Sequence, residues 1–300
     1  MNDSRRAMRT IDAHQHFWWL GKRLYRWPDT AQAALSRDFT PDDLAAERTP
    51  AGVEGSVLIQ SLNDLDETRE FLELASHHDD ILGVVGWAPL EEPRRAASVL
   101  DELLARPGRL VGIRHLINFE PDPDWLLRPN VQECIGEIAA RRLVFDTVPN
   151  DPRRFDAVLS TAAQHPSMTV VIDHLGRPPV VTGAWHPWAD FIRRAADLPN
   201  VSIKLSVGLD VVLDWTWSTE ALRRYADHVL QCFGPDRVMA ASNWPVSTLA
   251  GSYSRVWSGV RDLTAHLDAA SQAAVLAGTV ERVFQLAPQG ARHRELREMS

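Results

Sequence analysis

Two histidines one residue apart, His14 and His16, close the short run T-I-D-A-H-Q-H-F from Thr10 to Phe17. Along an extended strand alternate side chains share a face, so both imidazoles point the same way. Imidazole is the commonest metal-binding side chain, and two on one face at a strand end make half a metal site. The plainer alternative is a core-edge histidine pair with no ligand. A third imidazole, His174, follows the apolar run in V-V-I-D-H-L-G-R-P and completes a three-histidine donor set. Asp173 alternates away from His174, placed either to orient a ligand from behind or to pair with a barrel helix.

Other apolar runs also end in polar residues. Asp146 follows L-V-F and can bridge or ligate a metal. Arg114 follows V-G-I and can clamp a carboxylate or a carbonyl. His115 faces the opposite side from Arg114 and is expected at the mouth as a further metal ligand. Gln60, Trp87, Lys204 and Ser206 end three more runs and are expected to contact substrate, as are Trp18 and Trp244. Asn243 sits in S-N-W-P-V, where catalytic work is expected. The remaining histidines, among them His165 and His228, fall in helical or loop stretches and read as surface residues.

The elements that position these residues repeat. After the first run, β-rich segments recur at 53–60, 81–87, 110–117, 143–148, 168–175, 201–207 and 237–242. Helical patterns lie between them, near 41–47, 67–77, 93–105, 131–141, 152–163, 187–197 and 219–232. A helical tail at 254–286 breaks near Gly278. Strands alternating with helices imply parallel pairing through right-handed crossovers. Eight such units close into a (β/α)8 TIM barrel, here one domain over residues 1–300 with C-terminal helices. An open doubly wound sheet is the rival, but no Gly-rich phosphate turn follows the first strand. A barrel puts its active site at the C-terminal ends of the strands, where the polar residues above lie.

Composition narrows the partners. A net charge of −8 without a dense Lys/Arg run argues against nucleic acid. The two cysteines, Cys134 and Cys232, form no disulfide framework and suit a reducing cytoplasm. No apolar run has the length of a signal-peptide core or a membrane span. Eleven tryptophans, several in the segments Trp18–Phe39 and Asp210–Trp217, suggest pocket walls suited to an apolar or ring-shaped small molecule. A homo-oligomer is compatible with all of this.

The segments I-D-A-H-Q-H-F-W, V-L-I-Q, V-V-G-W, V-G-I-R-H, V-I-D-H-L-G-R-P, N-V-S-I-K-L-S, F-G-P-D-R and S-N-W-P-V span residues 11 to 246. Together they resemble the amidohydrolase superfamily, and within it the lactonase-like "amidohydrolase 2" barrels. The resemblance implies a hydrolase of sugar-acid or aromatic-degradation lactones, with one metal ion (zinc, for example) or none. It makes His14 and His16 the first-strand pair and His174 the sixth-strand histidine. The bridging, carboxylated lysine of the wider superfamily has no counterpart at the end of the fourth strand. Asn243 stands where the family has an aspartate that accepts a proton from the attacking water, and Ala240 and Ala241 depart as well. An amide has no basic oxygen at neutral pH. Oxygen activation at iron makes no such demand, and histidine–carboxylate sites suit nonheme iron. A divergent group of similar barrels comprises nonheme di-iron monooxygenases acting on bulky terpenoids. The expectation is therefore an oxygenase with one or two irons and a hydrophobic substrate. The alternative is a lactonase in which Arg114 or Lys204 polarises the carbonyl, and a non-catalytic binding protein is a third reading.

Overall fold

The computed structural model describes residues 8–25 and 30–286. Strand β1 (Ile11–Gln15) leads through a long loop to α1 (Pro41–Arg48) and β2 (Gly55–Ile59). There follow α2 (Leu65–His77), β3 (Ile81–Gly86), α3 (Pro93–Leu104), β4 (Leu110–Arg114) and α4 (Pro129–Ala140). Then come β5 (Val144–Thr147), α5 (Pro152–Gln164), β6 (Val170–Ile172), α6 (Trp188–Ala196) and β7 (Val201–Leu205). A short α7 (Leu209–Val212) precedes α8 (Thr219–Phe233) and β8 (Val238–Ala240). The tail forms α9 (Tyr253–Thr264), α10 (Ala269–Ala273) and α11 (Thr279–Val283). The break expected near Gly278 is a wide π turn over Ala274–Gly278.

All eight strands pair in parallel and in chain order, giving the expected (β/α)8 TIM barrel. Proline at the first turn starts α1, α3, α4 and α5, where its missing N–H costs nothing. Side-chain caps from Thr40, Asp64, Asp151, Ser218 and Ser252 satisfy helix N-termini. Two apolar layers result. Inside the barrel, Ile11, Val57, Val85, Val111, Val144, Val171 and Met239 pack on Val280 and Phe284, so the C-terminal helix plugs the end opposite the site. Outside, helix faces such as Phe71, Leu100, Ile135 and Val229 cover the strands.

Strands β8 and β1 are joined beyond their ends by backbone and by one carboxylate. Asn243 N donates to His14 O (2.9 Å) and His16 N to Trp244 O (2.8 Å). Asp12, fully buried, accepts from His14 N, Ser242 N, Ser242 Oγ and the Tyr253 hydroxyl at 2.5–3.1 Å. Burial pushes the Asp12 carboxyl up to about 6 against those four donors. Asp12 thereby fixes the H-x-H strand and the S-N-W segment to each other. Another buried acid, Glu67 in the first turn of α2, reaches back to accept from Ser61 N and Leu62 N at 2.8 and 2.9 Å. That ties the loop after β2 to its own helix.

Candidate active site

Above the C-terminal strand ends lies a cavity of about 370 Å³. His16, Arg114, His174 and Asn243 form its polar floor, and Leu116, Phe119, Val148, Leu209, Leu213 and Val246 give it apolar walls. Asn118, Asn150, Arg177 and Asp210 add polar groups at the mouth.

Beneath the floor the donors converge. His16 Nδ1 lies 2.9 Å from Ile59 O, so it carries the proton and its Nε2 presents a lone pair. His14 Nε2 lies 2.9 Å from that lone pair. The His14 Nδ1 faces both Asp173 Oδ1 (3.1 Å) and Lys204 Nζ (3.0 Å). If Nδ1 donates to Asp173, two imidazole lone pairs face each other and require a cation. If it accepts from Lys204, His14 donates to His16 instead. His174 stacks obliquely on His14 at 4.6 Å and places Nδ1 2.8 Å from Ser206 Oγ. Burial pushes His16 and His174 down to about 3, and His14 well below its ordinary value. All three are therefore neutral at pH 7, the form that binds metals.

His14, Asp173 and His174 each offer a ligand atom, all within 4.8 Å of one another. Asp173 Oδ2 and Asp146 Oδ1 are buried without a hydrogen bond. Two imidazoles and an under-satisfied carboxylate within 4.8 Å of one another, with His16 Nε2 2.9 Å from His14 Nε2, fit a divalent cation of zinc type.

A buried charge network supports this group. Lys204, wholly buried, contacts Asp146 and lies 2.9 Å from Asp173. Arg114 reaches Asp173 Oδ2 at 3.2 Å, Asp146 Oδ1 at 3.7 Å and Gln60 O at 3.3 Å. Burial, with the Asp173 charge added, raises the Asp146 carboxyl. Burial acts the same way on Asp173, but the charges of Lys204, His14 and Arg114 outweigh it and hold that carboxyl well below the usual range. Asp173 is thus the carboxylate that stays ionised.

The structure brings together His14, His16, His174, Arg114, Asp146, Lys204 and Ser206, and sets Asn243 beside them. Other expected members lie elsewhere. His115 is stacked on Trp125 at 4.1 Å, accepts from Trp87 Nε1 and faces Glu120, away from the three histidines. Gln60 donates to Asn63 and to Arg114 O behind the wall. Trp18 packs on Phe39, Trp87 on His115, and Trp244 on Phe17 and Phe39; none lines the cavity. Of the segment Trp18–Phe39 no described residue lines it, and Trp27 lies outside the described residues. Asp210 and Leu213 do line it, whereas Trp215 and Trp217 pack on each other.

Asn243 explains itself locally. Its Nδ2 donates to Val207 O at 2.8 Å, and its backbone is left-handed at φ 57°. Asparagine tolerates that conformation, and an ionised carboxylate oxygen facing Val207 O would be repelled.

Residues 11–286 match the family model described as Amidohydrolase. The chain is 36% identical over 248 residues to an L-fucono-1,5-lactonase of Burkholderia ambifaria, covering 81% of this chain and 82% of that one. It is 33% identical over 292 residues to an L-fucono-1,5-lactonase of Burkholderia multivorans, covering 92% and 96%. An amidohydrolase from Burkholderia multivorans solved with bound zinc superposes with a TM-score of 0.84 at 31% identity, covering 93% and 100%. These likenesses overturn the expectation of a nonheme iron monooxygenase, because the relatives are named as hydrolases of a lactone. Among the described residues there is one three-ligand group, His14, Asp173 and His174. No described helix is long and apolar enough to cross a membrane. With a matching family model over nearly its whole length, the chain belongs to the amidohydrolase family.

Proposed function

We propose that this protein hydrolyses a sugar-acid lactone of the L-fucono-1,5-lactone type. The shared activity of two relatives that align over most of the chain carries the reading. The cavity supports it: a six-membered ring fits about 370 Å³, amides at Asn118 and Asn150 suit sugar hydroxyls, and a guanidinium waits at the floor.

A divalent cation held by His14, His174 and Asp173 supplies Lewis-acid polarisation when bound. The chain's own groups do the rest. Arg114, held by Asp173 and Gln60 O, aims a fixed positive charge at the lactone carbonyl oxygen and stabilises the negative charge that develops there. Asn243, its Nδ2 held by Val207, keeps Oδ1 as an acceptor for a substrate hydroxyl. The apolar walls exclude water from the far side of the ring.

Incubating the purified chain with L-fucono-1,5-lactone should release acid faster than the spontaneous reaction. Replacing Arg114 by alanine should then lower kcat/KM about 10²-fold. No turnover of this or any other six-membered aldonolactone would overturn the proposal. Zinc, bound in one solved relative, is the cation expected here. Elemental analysis of protein purified without chelator should find about one divalent ion per chain, lost in His174→Ala.

A further inference from the structure

Hydrolysis needs a group that takes a proton from the attacking water, and the amide of Asn243 cannot be that group. Among the described residues lining the cavity, Asp210 is the one carboxylate. It stands in the first turn of α7, two residues beyond Gly208. Arg177 clamps its Oδ2 with both Nε and Nη2 at 3.0 Å, while Oδ1 makes no hydrogen bond among the described residues.

The two groups at this corner were brought together at a cost. His174, Leu175, Gly176 and Arg177 are all left-handed, with φ of 56°, 52°, 64° and 59°. Three of them carry side chains, each strained by roughly 1–2 kcal/mol. The turn is held by Arg177 N donating to His174 O and by Trp188 Nε1 donating to Leu175 O, both at 2.8 Å. It delivers His174 to the floor and Arg177 to the carboxylate of Asp210. Gly208 keeps the space between them open: a Cβ there would stand 2.8 Å from Asp210 Oδ1 and 3.4 Å from His174 Cδ2. The free carboxylate oxygen and the His174 ring therefore face one gap.

We propose that Asp210 is the catalytic proton acceptor of this site, doing from the loop after β7 what an amide at position 243 cannot. The inference rests on the lactone-hydrolase reading above. A water bound at Oδ1 gives its proton to the carboxylate as its oxygen bonds to the lactone carbonyl carbon, and the carbonyl π pair moves to oxygen beside Arg114. Collapse of that tetrahedral species re-forms the carbonyl and breaks the ring C–O bond. Protonated Asp210 returns the proton to the leaving alkoxide, and the product is the open hydroxy acid. Arg177 keeps the carboxylate oriented throughout.

Asp210→Asn retains an oxygen for Arg177 but no base, so its kcat should fall about 10²–10³-fold with KM within threefold of wild type. Asp210→Ala should fall as far, and added formate should restore part of its rate by occupying the vacated space. Gly208→Ala should keep its melting temperature, because the carboxylate can swing aside, yet lose at least tenfold in kcat. Asp210→Asn within threefold of wild type overturns the inference and leaves the lactonase reading standing. A wild type inert towards lactones beside an active Asn243→Asp also overturns it. Both inert overturns the lactonase reading, and this inference with it.

Discussion

Replacing Lys204 by methionine lowers the unfolding free energy by about 3–5 kcal/mol, the usual cost of removing one partner from a buried ion pair. Methionine preserves the unbranched stem, so little of the loss is cavity. What is lost is the ammonium that contacts Asp146 and sits 2.9 Å from Asp173 and 3.0 Å from His14 Nδ1, all wholly buried. Arg114 alone cannot replace it, since its guanidinium stands 3.2 and 3.7 Å from the two carboxylates. Asp146 is the acid that burial and Asp173 already raise, so it takes the proton in the variant. The double variant Lys204→Met with Asp146→Asn removes the cost of protonating that buried acid and should recover at least half of the loss. Urea unfolding of the four members of that cycle measures the coupling. Additive losses would show that Lys204 and Asp146 do not act as a pair.

The sequence exposed this site where strand periodicity holds and hid it where periodicity ends. His14 lies in β1 and His16 one residue past its end, but His16 N still bonds Trp244 O of the neighbouring segment and the two rings meet at 2.9 Å, as their spacing implied. Arg114 is the last residue of β4 and keeps its inward direction. His115 is the first residue past it, and its ring is captured by Trp87 and Trp125 instead of the mouth. The same boundary governs β6, whose apolar run promised a strand to Leu175 but whose ladder stops at Ile172. His174 is already left-handed, so alternation does not relate it to Asp173, and the two ligand atoms meet. Asp210 lies in a segment that composition marked only as a wall. Its partnership with Arg177 joins two loops 33 residues apart, and no local spacing encodes that. Tryptophan count misled for a related reason: most of these rings fill space between barrel and loops, as large apolar groups commonly do. Asn243 misled about chemistry, because the amide beyond β8 suggested a non-hydrolytic site, whereas relatives that align over most of the chain are lactonases.

Replacing Glu67 by glutamine should stabilise the protein at pH 8 and leave it nearly unchanged at pH 5. Burial raises the Glu67 carboxyl from 4.5 to about 8, against the opposing donors Leu62 N and Ser61 N and the charge of Arg23. The folded pKa lies above the unfolded one, so between those values the folded chain holds a proton that the unfolded chain has released. The contribution is complete below about 4.5 and disappears as pH rises through 8, at up to about 1.4 kcal/mol per pH unit. Glutamine keeps an oxygen for the N–H groups of Ser61 and Leu62 and carries no charge, so it holds the loop at any pH. The difference in unfolding free energy, Gln minus wild type, should grow with pH and reach as much as about 4 kcal/mol at pH 8. Background titrations common to both proteins cancel in that difference. A difference that stays flat from pH 5 to 8 would mean that Glu67 is ionised in the folded chain. Ser61 lines the cavity, so the same titration reaches function: wild type should lose lactone turnover at alkaline pH more steeply than Glu67→Gln.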